Sequence, residues 1–88
     1  MKVKYEFCIR EIAGDYILVP LGEAALAFSG MVTTNEVGIL IWKELQNGTT
    51  REQLITAVLN EFEIDEKTAA SDVDEFLKQL EQLDLLQK

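Results

Sequence analysis

The sequence has 88 residues, 48% of them hydrophobic, which suits one small domain whose few core side chains leave no room for a deep, walled active site. Sixteen Asp and Glu against eight Lys and Arg give a formal net charge of −8, so the surface repels nucleic acid and favours basic or neutral partners. Histidine is absent, which excludes His-based triads, imidazole acid–base chemistry and His metal sites, and the single cysteine, Cys8, has no internal disulfide partner.

The acidic excess grows along the chain. Residues 1–33 carry three basic and four acidic side chains, residues 34–64 two and five, and residues 65–88 three and seven. No basic stripe interrupts it. The first residues, Met-Lys-Val-Lys-Tyr-Glu, lack the apolar core of a signal peptide, and no run approaches the roughly 18 apolar residues of a membrane span. The expectation is a cytoplasmic chain of one domain over residues 1–88, with no membrane and no nucleic-acid partner.

In chain order, Val3, Tyr5, Phe7 and Ile9 alternate with Lys4, Glu6, Cys8 and Arg10, the period-2 pattern of a half-buried strand. Ala13-Gly14-Asp15 reads as a turn, and Tyr16–Val19 as a second strand stopped by Pro20. Leu21-Gly22-Glu23 loops. Residues 24–28 fit a short strand or a helical turn equally well. Ser29-Gly30 then turns the chain into a third strand, Met31-Val32-Thr33-Thr34.

Helical signals follow. Asn35 is an N-cap and Glu36 an acidic first-turn residue for a helix to about Gln46, with Val37, Leu40, Ile41, Trp42 and Leu45 apolar. Asn47-Gly48 ends it. Thr50 and Gln53 have capping-box spacing, and Leu54, Ile55, Val58, Leu59 and Phe62 make one stripe of a second helix. Asp65 caps a third, whose apolar residues are Ala69, Ala70, Val73, Phe76, Leu77, Leu80 and Leu83; Leu85-Leu86 close the chain. Three antiparallel strands followed by three helices is an α+β order that suits a winged-helix-like arrangement.

Catalytic chemistry finds little footing. Asp72, Asp74 and Glu75 read as a charged, solvated face, and no Asp/Asn-rich loop resembles a calcium site. Cys8 has no histidine to activate it and reads as a small strand residue. The five glycines form no phosphate-cradling loop, and Trp42 reads as core. The chain is expected to be no enzyme, with no cofactor and no metal.

From the second strand onward the sequence resembles the PqqD family, also called RiPP recognition elements. The resemblance runs through Arg10-Glu11-Ile12-Ala13-Gly14, Ile17-Leu18-Val19-Pro20-Leu21-Gly22-Glu23 and Asn35-Glu36-Val37-Gly38. It continues in Ile41-Trp42, Leu45, Gly48-Thr49-Thr50, Asp72-Val73-Asp74-Glu75-Phe76-Leu77, Leu80 and Leu85-Leu86. Thr34 departs from it, standing where such sequences usually have leucine. The resemblance implies a winged-helix-like domain that captures the leader segment of a ribosomally made precursor peptide as an added strand and presents it to a modifying enzyme. In this family that enzyme is often a radical S-adenosylmethionine enzyme. This chain has no cysteine triplet for an iron–sulfur cluster, which places such chemistry on the partner.

Carried onto this chain, the peptide-binding residues are Met31, Val32, Thr33 and Thr34 on the strand and Val73, Phe76, Leu77 and Leu80 on the last helix. The centre of that helix's apolar stripe faces the core and one flank lines the groove; the sequence leaves open which. Its acidity favours a leader with Lys or Arg near the groove. Two other readings stand beside this one. A winged-helix transcription regulator is opposed by Glu52, Glu61 and Glu63 around Arg51 on the would-be recognition helix. A structural docking subunit is not separated from peptide capture by sequence.

Overall fold

A computed structural model describes residues 1–27 and 30–87. Strand β1 is Lys2–Val3, β2 Phe7–Ile12 and β3 Asp15–Pro20; a short helix α1, Glu23–Ala27, leads to β4, Val32–Thr34. Helices α2 (Glu36–Gln46), α3 (Arg51–Glu61) and α4 (Glu66–Gln82) follow, and β5 is Leu86–Gln87. The main sheet is antiparallel in the order β2-β3-β4, while β1 and β5 form a separate two-stranded ribbon. The fold is α+β and winged-helix-like, as the pattern predicts.

Ala13 and Gly14, both at positive φ, turn β2 into β3 so that Ile12 pairs with Asp15, which is the twist a two-residue hairpin needs. Register then fixes the faces. Ile9, Leu18 and Val32 stand opposite one another on the inner face, where Leu18 and Val32 are buried. Cys8 pairs with Val19 on the outer face and is half-buried. Outside the core, Ile12 at the end of β2 and Met31 just before β4 are 56% and 63% exposed.

The helices begin where their caps predict. Asn35 Oδ1 accepts from Gly38 N at 3.0 Å. Thr50 Oγ1 accepts from Gln53 N while Thr50 N donates to Gln53 Oε1, completing the capping box. Asp65 Oδ1 accepts from Thr68 N at 2.7 Å. Their apolar stripes meet around Trp42, which is fully buried and packs edge-on against Phe7 with ring centroids 5.1 Å apart. Trp42 is core, as expected. Leu54, Val58, Val73, Leu80 and Leu85 share that core.

Two expectations change. The alternating run from Val3 to Ile9 is not one strand: the chain bends at Lys4–Tyr5, so β1 pairs with β5 while β2 pairs with β3. The bend is held from outside the run. Lys4 N donates to Leu85 O at 3.0 Å, and Lys4 Nζ meets Asp84 at 2.8 Å. Residues 24–27, open between strand and helix in sequence, lie within helix α1; Phe28 and Ser29, the rest of that reading, lie outside the described residues. Among the described residues, no helix is long and apolar enough to cross a membrane.

Candidate functional site

β4 lies at the edge of the main sheet, bonded to β3 on one side and, among the described residues, open on the other. An open edge presents backbone N–H and C=O groups that need a partner. Beside it runs a cleft of about 370 Å³. Thr33 and Thr34 contribute its strand side, Asn35, Val37 and Gly38 its floor at the start of α2, and Asp15 one end. The opposite wall is α4, through Asp72, Glu75, Phe76 and Gln79.

Helical geometry explains which flank of α4 forms the wall. At ~100° per residue, Asp72, Glu75, Phe76 and Gln79 cluster on one side of the stripe, with Phe76 at the border. Leu77 falls on the other flank, toward Asp74, where Arg51 of α3 makes two bonds of 2.7 and 2.9 Å to the carboxylate. Val73 and Leu80 lie at the stripe's centre and are fully buried; Leu77 and Phe76 are 7% and 6% exposed. Of these four residues, Phe76 is the one at the cleft. On the strand, Thr33 and Thr34 line the cleft, Val32 turns its side chain into the core, and Met31 stands exposed just before β4.

Sequence reasoning missed the polar half of this wall. Asp72, Glu75 and Gln79 look like a solvated face until the partner element is known. Their spacing of three and four residues, adjoining Phe76, was the available signal. Asp74, grouped with Asp72 and Glu75 in the sequence, does something else: Arg51 hydrogen-bonds its carboxylate and holds it below the usual carboxylate range. That pairing also occupies the one arginine of the helix that would read DNA.

Gly38 belongs to the Asn35–Gly38 segment of the family resemblance, but nothing local in the sequence says why it is glycine. A Cβ there would sit 2.9 Å from Thr34 Cβ, closer than real carbon contacts, so glycine is what lets α2 press against the end of β4. At the same end, Tyr16 pairs with Thr34, and its hydroxyl is pushed above its usual range by burial and then by the charges of Glu11 and Glu36. Among the described residues, no three His, Cys, Asp or Glu side chains are grouped to hold a metal ion.

The family model described as "Coenzyme PQQ synthesis protein D (PqqD)" matches residues 15–86. A search of curated proteins gives no match. Among solved structures, one described as "TbiB1 in Complex with the TbiA(beta) Leader Peptide" is similar at 25% identity and a TM-score of 0.70, covering 99% of this chain and 95% of that one. The matched residues hold β3, β4, the three long helices and the cleft between β4 and α4, and the chain belongs to the PqqD family as a non-catalytic recognition domain.

Proposed function

We propose that this chain captures the leader segment of a ribosomally made precursor peptide and presents it to a separate modifying enzyme. The observation that carries the reading is the open edge of β4 facing the α4 wall across a cleft. A leader strand laid along β4 pairs with its free backbone groups, while alternate side chains point toward the cleft. Met31, Val32, Thr33 and Thr34 supply the pairing edge. Phe76 supplies the apolar contact, and Val73, Leu77 and Leu80 anchor α4 from behind so that the wall stays fixed. The similarity to a leader-bound structure supports the peptide as the partner.

Amide NMR on the labelled chain tests this, titrated with the leader of a short precursor encoded beside it. Shifts are expected to concentrate at residues 31–34 and 72–79. Shifts confined to the outer sheet face around Cys8 and Val19, or none, would sink the reading. For the enzyme we propose a radical S-adenosylmethionine enzyme, in keeping with the family resemblance. The expected result is that it is pulled down by the full chain more strongly when leader is bound.

A further inference from the structure

We propose that Asp72 and Glu75 make this cleft selective for leader segments carrying a Lys or Arg at a strand position that faces α4. The inference rests on the peptide-capture reading and adds a chemical class to it. Phe76 is the one apolar side chain that α4 offers to the cleft, and its neighbours there are Asp72, Glu75 and Gln79. Asp15 adds a third carboxylate at the cleft's end.

None of these three carboxylates has a cationic partner among the described residues, since the ion pairs join Lys4 to Asp84 and Arg51 to Asp74. The lysines of α4 do not help. Lys67 and Lys78 sit more than ~100° around the helix from the middle of the wall. A strand laid along β4 covers Asp72, already half-buried, and removes water from Glu75. An apolar strand would leave both charges desolvated and unpaired, which is costly; a cation on the strand offsets that.

The spacing fits. Asp72 and Glu75 are separated by about 4.5 Å of helix rise, and side chains on one face of a strand recur every ~6.7 Å. One long cationic side chain reaches both carboxylates, or two cations separated by a single residue take one each.

The test is a display selection of random peptides on the immobilised full chain, at low and physiological salt. Lys or Arg is expected to be enriched at one position, or at two positions separated by one residue. The variant Asp72→Lys/Glu75→Lys is expected to turn that enrichment to Asp or Glu at the same positions. It should also weaken the originally selected peptides about tenfold or more by fluorescence anisotropy. The control Glu61→Lys/Glu63→Lys makes the same charge change at exposed sites off the cleft and is expected to leave the positional preference intact. Thermal melts establish that both variants fold; should the cleft variant not fold, Asp72→Asn/Glu75→Gln replaces it, with loss of the enrichment expected. Peptides recovered without a basic residue overturn the selectivity and leave peptide capture standing. So does a basic preference with no fixed position, or one that the control shifts equally. Recovery of no peptide overturns both.

Discussion

Ala13 sits at φ 50° in the hairpin between β2 and β3, a left-handed conformation that strains a residue with a Cβ by about 1 kcal/mol. Asparagine tolerates it better and, before glycine, is a favoured pair for this turn. Ala13→Asn is therefore expected to stabilise the chain by ~0.5–1 kcal/mol, seen as a raised urea midpoint with unchanged slope. Gly38 presents the opposite case. Gly38→Ala gains helix propensity but forces a methyl group against Thr34, and overpacking of this kind costs ~1–3 kcal/mol. The expected outcome is a lower melting temperature and, on the proposed mode of capture, weaker leader binding, because the displaced residue ends the strand proposed to receive the peptide. Unfolding is readily followed through Trp42, the single tryptophan, which is fully buried in the native state.

At the scale of elements, α4 is tied down by two exposed aspartates. Asp65 accepts from Thr68 at its start and Asp74 holds Arg51 at its middle, and each carboxyl titrates below the ordinary value of 3.8. A carboxyl lowered by folding contributes stability above its unfolded value, and that contribution is lost as pH falls through its folded value. Stability is thus expected to hold above pH ~4 and to decline below it. Asp65→Asn/Asp74→Asn should flatten that decline in denaturant melts taken across the acid range, since asparagine caps a helix without titrating. An unchanged acid slope would show that other carboxylates govern it.

The same elements show what sequence makes legible. α2, α3 and α4 were readable to within about a residue because each start is written locally, in Asn35, Thr50 with Gln53, and Asp65. The break between β1 and β2 was not, because alternation persists through the bend while its cause, pairing with Leu86, lies at the far end of the chain. The cleft was half legible. Thr33, Thr34 and Phe76 follow from pattern and resemblance; Asp72, Glu75 and Gln79 needed the orientation of α4 relative to β4, a tertiary fact with no local signature.

For the molecule as a whole, closure depends on its last residues. Leu85 and Leu86 are 1% and 7% exposed, β5 pairs with β1, and Met1 exchanges backbone bonds of 2.9 Å with Thr49 between α2 and α3. Leu85→Ala is expected to cost ~2–5 kcal/mol, lowering the melting temperature by ten degrees or more. A loss under ~1 kcal/mol would mean that the chain end contributes little to the core.

The uncovered edge of β4 has a bearing on how copies of this chain meet one another. Bare strand edges invite stacking into ribbons, yet pairing of two such edges here would bring together two clefts that each hold Asp15, Asp72 and Glu75, on chains each carrying −8. Mutual repulsion is then expected to disfavour pairing of the unladen domain with itself, and dissolved ions weaken that repulsion. Sedimentation should show self-association rising with ionic strength while capture of cationic peptides falls. One row of carboxylates would thus welcome the cargo and hold sister molecules apart.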